Sequence, residues 1–176
     1  MSDAVFPKSA VHELLREYDL ERSDEFVTHL LQTEVLSFCL VTALKPAISS
    51  CVLHQRKYIS VQDLTVAEHA RGPLPLSRVE SRDRGYLLSA QRFRECVDKH
   101  IEKCADTMRR FEPDLGEIGI SKDVVVRLQE LVEQYLRGFF EHVVASDASR
   151  KFGYRQCTAE LAALVGHSHD DKAGSS

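Results

Sequence analysis

The feature that most constrains the fold is a helical pattern that occurs twice, as a long apolar run between shorter helical segments. The first run extends from Ser23 to about Leu53, and the second extends from Ser121 to about Ser149. Apolar residues recur in both at the spacing of a buried helix face. A helix of about 27 residues is about 40 Å long, so its own short helices leave one apolar stripe uncovered. The repeat therefore predicts two units that cross along their long helices.

The chain is expected to be all-α, because glycine is sparse and no hairpin signal appears. Ser23 and Ser121 are expected to cap the long helices, and Pro46 predicts a kink near Thr42. The pattern divides the chain into a first unit at residues 1–71, a linker at 72–89, a second unit at 90–165 and a disordered tail at 166–176. We expect the linker arginines to be solvated, namely Arg78, Arg82 and Arg84.

The charge balance argues against a generic nucleic-acid-binding protein, which normally carries a strongly basic face. The chain has 23 basic and 27 acidic residues and a formal net charge of −4. We expect no signal peptide and no apolar run long enough to span a bilayer. We therefore expect an intracellular protein with no membrane partner.

The cysteines and histidines do not form a pattern that predicts chemistry. The five cysteines are odd in number and include no CxxC pair, so neither a disulfide framework nor a zinc finger is expected. Cys51 with His54 does not supply four metal ligands, and neither does the tail set of His167, His169, Asp170 and Asp171. No nucleophile has an orienting partner. We expect no metal, no cofactor, no small-molecule substrate and no enzymatic activity.

Three stretches carry a resemblance to core histones. LHQRKYISVQDL at residues 53–64 resembles the loop that precedes the third helix of a histone fold, with a short strand at Ile59 and Ser60. FPKSAVHELLR at residues 6–16 is similar to the start of a type-2A histone, and FEPDLGEIGISK at residues 111–122 is similar to a type-2B loop. Two fused histone folds resemble the histone doublets of large DNA viruses. The resemblance implies two short–long–short units paired head-to-tail as an intramolecular handshake dimer.

The resemblance also implies the site residues. Arg56 and Asp63, seven positions apart, correspond to the Arg–Asp clamp of a histone fold. In the second unit Gly153 stands seven residues before Glu160, so that clamp is either absent or rebuilt around Arg155. The third-helix loop of each unit is expected beside the first loop of the other. The residues expected to contact DNA phosphates are Arg16, Arg22, Arg56, Lys57, Lys122, Arg150, Lys151 and Arg155.

Two functions follow from the resemblance. The first is DNA packaging in a nucleosome-like particle through sequence-independent phosphate contacts, with double-stranded DNA and a second histone doublet or core histone pair as partners. The location is then the nucleus or a viral factory, with packaging in the virion as a further option. The alternative is an acidic histone-fold adaptor or chaperone-like factor, since Ala10 and Glu13 stand where type-2A histones carry arginines. A positive ridge on the docked loops favours packaging, whereas a negative surface favours the adaptor.

Overall fold

The computed structural model describes residues 5–72, 74–146 and 149–174, with side chains described through Val165. The described residues are mostly helical, as the sequence predicts for an all-α protein. In chain order the helices are α1 (Lys8–Glu17), α2 (Phe26–Leu30), a π-helical segment (Leu31–Val35), α3 (Leu36–Leu53), α4 (Val61–His69), α5 (Ser81–Arg84), α6 (Ala90–Arg109), α7 (Lys122–Ser146) and α8 (Tyr154–Gly174). The continuous helix Phe26–Leu53, called the first long helix below, and α7 are the central elements.

Two pairs of short parallel strands join the halves of the chain. β1 (Glu21–Arg22) pairs with β4 (Lys151–Phe152), and β2 (Tyr58–Ile59) pairs with β3 (Gly119–Ile120). In each pair, a loop next to the first long helix lies beside a loop next to α7. The resemblance implies this proximity of the loops, and of the four strands only the one at Ile59 was expected.

One hydrophobic core is shared by both halves. α3 packs against α4, α6 and α7, and the middle turns of α7 are buried almost all round. Aromatic rings fill the space between α1, α7 and β4. Phe152 lies 6.5 Å from Phe139 and 5.3 Å from Phe140, measured between ring centroids, and Tyr18 stacks on Phe140 at 6.0 Å. The apolar stripes of both long helices therefore form core, as their spacing predicts.

The first long helix is more apolar than we expected. An 18-residue window within Phe26–Leu53 has a mean hydropathy of 1.7, which is enough, by length and composition alone, for a membrane span. The expectation that no such run exists was therefore wrong. A central core helix meets the same criterion, and 56% of this window is buried in the fold.

Asp24, not Ser23, caps the first long helix. Its Oδ1 accepts a hydrogen bond from the Val27 amide at 3.2 Å, and its Oδ2 accepts one from the Tyr154 amide at 2.7 Å. Among the described residues no helix amide donates to the Ser23 hydroxyl, and the Ser23 amide donates to the Phe152 carbonyl at 3.0 Å, in line with β1. The Asp24 carboxylate thus accepts hydrogen bonds from the first turns of both α2 and α8.

The first long helix departs from α-helical geometry at Leu31–Val35, which is π-helical. The apolar spacing contains no signal for this segment. Pro46 lies inside α3, as expected from the sequence, and the helix continues beyond it to Leu53. The hydroxyl of Thr42 donates to the Phe38 carbonyl at 2.7 Å.

Residues 74–89, which the sequence suggests are a linker, form a strap packed across α7. The strap passes directly over Gly138, where an added Cβ would lie 2.1 Å from the carbonyl oxygen of Pro75. The strap is therefore part of the core and not a solvated connection. Its buried residues are Leu74, Ser77, Ser81, Leu87 and Leu88.

A buried polar network fastens the strap to α7. Glu133, 0% exposed, accepts hydrogen bonds from the Ser81 hydroxyl at 2.6 Å, the Leu87 amide at 2.7 Å and the Gln129 side chain at 2.9 Å. Arg137 donates to the Ser81 hydroxyl at 2.8 Å and lies 3.8 Å from Glu133. Because both charges are paired and hydrogen-bonded, their burial is tolerated.

The last helix is longer than the sequence pattern suggests. The second unit was expected to end at Val165, with a disordered tail after it, but the backbone remains helical to Gly174. Residues 166–174 include no proline that would stop the helix. Ser175 and Ser176 lie outside the described residues.

Candidate nucleic-acid interface

The loop between α3 and α4 is organised by the carboxylate of Asp63, which is 0% exposed. Its Oδ1 accepts hydrogen bonds from Arg56 Nη2 at 2.5 Å and from the Ser50 hydroxyl at 2.7 Å. Its Oδ2 accepts one from the Ser60 amide at 2.8 Å, completing a capping box at the start of α4. The ion pair that the resemblance implies is present.

Lys57 is the cation that this loop presents. Its backbone carbonyl accepts a hydrogen bond from the Gly119 amide at 2.9 Å, which fixes it against β3. Its side chain is exposed and makes no ion pair with any described residue. The Arg56 guanidinium, by contrast, is already bonded to Asp63 and to the Ser60 hydroxyl.

The loops around β1 and β4, called the first end, gather most of the predicted cations. A cleft of about 550 Å³ is lined by three arginines, Arg16, Arg22 and Arg150, and by two carboxylates, Asp19 and Glu21. Lys151 follows in β4 and is in register with Glu21. These side chains come from α1, β1 and β4, so the strand pair brings them together from distant parts of the chain.

Side-chain oxygens of the first unit lie close to the start of α8 at the first end. A Cβ added to Gly153 would lie 2.0 Å from Ser23 Oγ and 2.6 Å from Asp24 Oδ2, so a larger residue there would require both side chains to move. The Tyr154 amide donates a hydrogen bond to Asp24 Oδ2 at 2.7 Å. Arg155, exposed in the first turn of α8, is thereby held beside the start of α2.

Acidic residues reduce the positive charge of the first end without cancelling it. Asp19 pairs with Arg150 at 3.0 Å, with side chains 85% and 57% exposed. Exposed pairs of this kind contribute about 1 kcal/mol or less, so Asp19 holds the Arg150 guanidinium only weakly. Arg22 donates to the Thr28 hydroxyl at 3.1 Å. The first-end cations that make no ion pair with a described residue are Arg16, Arg22, Lys151 and Arg155.

The loops around β2 and β3, called the second end, are more acidic. Lys57 and Lys122 are exposed there. Arg56 and Lys57 line a cleft of about 470 Å³. Three carboxylates that make no ion pair with a described residue line the same cleft: Glu112, Asp114 and Glu117. Since Arg56 is already neutralised by Asp63, acids outnumber the available lysines at this end.

Glu160 is held by a histidine, which the sequence does not indicate. His142 Nδ1 of α7 contacts Glu160 Oε1, and the Glu160 side chain is 10% exposed. The second clamp was expected to be either absent or rebuilt around Arg155. No contact between Glu160 and Arg155 is found among the described residues. His142 and Glu160 are 18 positions apart and lie on different helices, so no local spacing could reveal the pair.

Burial disfavours the thiolate form of Cys51 and Cys157. All five cysteines are free. Burial raises the pKa of the Cys157 thiol to about 12, and burial together with the Asp63 charge raises the pKa of Cys51. No group of three His, Cys, Asp or Glu residues suited to a metal occurs in the described part of the chain. The tail set from His167 to Asp171 lies outside the described side chains.

The linker arginines remain on the surface, as expected. Arg82 pairs with Glu80, and Arg84 lies 3.5 Å from Glu17. Both arginine side chains are more than half exposed.

Neither a comparison with protein-family models nor a comparison with curated proteins finds a match for this chain. The interpretation of the two ends therefore depends on their geometry and charge.

Proposed function

We propose that the chain is a histone-fold doublet, two histone folds paired head-to-tail, that packages DNA in a nucleosome-like particle through phosphate contacts. Two features support the proposal. Each long helix lies between loops that pair, as parallel strands, with loops of the other half. The Arg56–Asp63 ion pair stands where the resemblance requires a clamp.

The observation that carries the DNA-binding part is the cation cluster of the first end. Arg16, Arg22 and Arg150 surround one cleft, with Lys151 next to them. The contacts are expected to be with phosphates, because the clustered cations come from α1, β1 and the loop with β4 and not from one exposed helix that could enter the major groove. If about four cations neutralise phosphates, log Kobs falls with log salt concentration with a slope of about −4.

The test is binding of a fluorescein-labelled DNA duplex over a salt series. The variant Arg22→Ala/Lys151→Ala removes two cations from the first end, and Lys57→Ala/Lys122→Ala removes two from the second. We expect the first variant to weaken binding and to reduce the salt slope by about 2, and the second to change it less. No binding at low salt, or equal losses in both variants, would contradict the proposal.

The proposal implies a second histone doublet or core histone pair as partner, since a nucleosome-like particle requires both pairs. Mixing the chain with such a pair on DNA and digesting with nuclease tests this. A protected DNA length that appears only in the mixture is the expected result. Location in a nucleus, viral factory or virion is part of the same proposal.

A second candidate function, the acidic adaptor, is favoured by the second end. Glu112, Asp114 and Glu117 form an unpaired acidic loop beside Lys57, a surface that attracts basic proteins and repels phosphate. The test is binding of purified basic core histones. If the chain binds them, loses this binding in a Glu112→Gln/Asp114→Asn/Glu117→Gln variant and does not bind DNA, the adaptor is favoured over packaging.

A further inference from the structure

α3 and α6 leave an open groove between them, called the α3–α6 groove, with a volume of about 370 Å³. Val41 and Ile48 of α3 and Cys104 and Met108 of α6 give it an apolar lining. Val41 is 41% exposed although it belongs to the central helix of the fold. The groove lining includes no residue of the four strands or of the cation clusters described above.

The apolar surface of the first long helix is only partly covered by the chain itself. The helix is as apolar as a membrane span, yet 56% of its most apolar window is buried. The α3–α6 groove is one place where this uncovered surface reaches solvent. Exposed apolar surface bounded by polar groups is typical of a binding site.

Lysines supply the charge that lines the groove. Among the described residues that line it, Lys45 and Lys103 are charged, His100 is the one histidine, and none is Asp or Glu. Neither lysine makes an ion pair with a described residue. His100 Nδ1 lies 2.9 Å from the Cys96 carbonyl oxygen. In a chain with more acidic than basic residues, such a rim selects for a negatively charged occupant.

We propose that the α3–α6 groove binds an acidic amphipathic helix of a partner protein. The apolar face of that helix packs on Val41 and Met108, and its carboxylates meet Lys45 and Lys103, in the manner of helix-in-groove recognition. Duplex DNA has no apolar face with which to cover the floor. A second copy of this chain would place the same lysines against each other in a symmetric contact. The site goes beyond the proposed function, because it is separate from the phosphate-binding end.

The experiment uses the full chain and a synthetic peptide with leucines at helical spacing, glutamates on the other face and one tryptophan. Because the chain has no tryptophan, the emission reports the peptide alone. We expect saturable binding with a blue shift, weakened about tenfold or more by Lys45→Glu/Lys103→Glu. The matched control Lys57→Glu/Lys122→Glu makes the same change in net charge and should leave binding unchanged. The same peptide with lysine in place of glutamate should not bind.

Three outcomes would overturn the inference: equal binding of the acidic and basic peptides, equal loss in both double variants, and no saturable binding by the folded protein. Sedimentation of the free protein provides a fourth. Self-association that Lys45→Glu/Lys103→Glu abolishes would assign the groove to a second copy. Circular dichroism checks that each variant is folded. DNA binding is also measured for Lys45→Glu/Lys103→Glu. We expect this variant to lose peptide binding and to keep DNA binding, so the inference and the proposed function can fail separately.

Discussion

Replacement of Asp63 by alanine tests the loop on which the histone-fold interpretation depends. The carboxylate is fully buried and accepts hydrogen bonds from Arg56, Ser50 and Ser60. A hydrogen bond from a charged donor contributes about 1.5–3 kcal/mol and a neutral one about 1 kcal/mol. The contributions overlap, since the bond from Ser60 is also the helix cap. Arg56 is 31% exposed, so water solvates part of its charge in the variant. We expect the free energy of unfolding to fall by about 3 kcal/mol.

The measurement is urea unfolding followed by circular dichroism. Asp63→Asn keeps one acceptor oxygen and should lose less stability than Asp63→Ala. Gln62→Ala, at the exposed neighbouring position, should stay within about 0.5 kcal/mol of the parent. A double-mutant cycle with Arg56→Ala should give a coupling energy of about 1–3 kcal/mol.

A loss below about 1 kcal/mol for Asp63→Ala would refute the reasoning. So would a coupling energy near zero, because the ion pair would then not hold the loop. In either case Lys57 would be presented by backbone pairing with Gly119 alone.

Three further predictions concern the core and the strap. Gly138→Ala would stabilise an unobstructed helix by about 1 kcal/mol. Here it should lower the Tm, because the new methyl group would clash with the Pro75 carbonyl. A higher Tm would mean that the strap does not lie over Gly138. Tyr135→Phe should raise the free energy of unfolding by about 1 kcal/mol or more, since the buried hydroxyl has no hydrogen-bond partner among the described residues. A destabilised variant would show that it has one. Burial and the Glu141 carboxylate raise the pKa of Tyr18 above its ordinary 10.0, so its contribution to stability is present below pH 10 and is lost as the pH rises further. Stability above that pH should fall less steeply in Tyr18→Phe, and identical slopes would exclude Tyr18 as the cause.

Helical spacing was sufficient to predict most of the secondary structure. It located the two long helices, which the structure places at Phe26–Leu53 and Lys122–Ser146. It could not predict the packed strap, because the prolines and charges of residues 72–89 look like those of a solvated connection. The residues that bury the strap, Ser81 and Glu133, are 52 positions apart, and no local pattern contains such a pair.

The cations of the candidate site could be predicted from the sequence and the resemblance, but the acidic residues beside them could not. The resemblance placed Arg22 near Lys151 and Lys57 near Lys122, and the strand pairs bring these loops together. The acidic neighbours depend on tertiary contacts. Asp19 and Arg150, for example, are 131 positions apart in the chain. Asp24 could have been recognised as the cap, since aspartate is as good an N-cap as serine, but its second role at Tyr154 could not.

The unequal charge of the two ends has a consequence for how DNA would be held. Each end contains one pair of short parallel strands. At the first end Arg22, Lys151 and Arg155 make no ion pair with a described residue, whereas the second end has an acidic loop. A duplex long enough to cross both ends would be attracted at one and repelled at the other. Alone, the chain should therefore contact DNA over a short segment, and any longer wrap must take its remaining phosphate contacts from the partner pair.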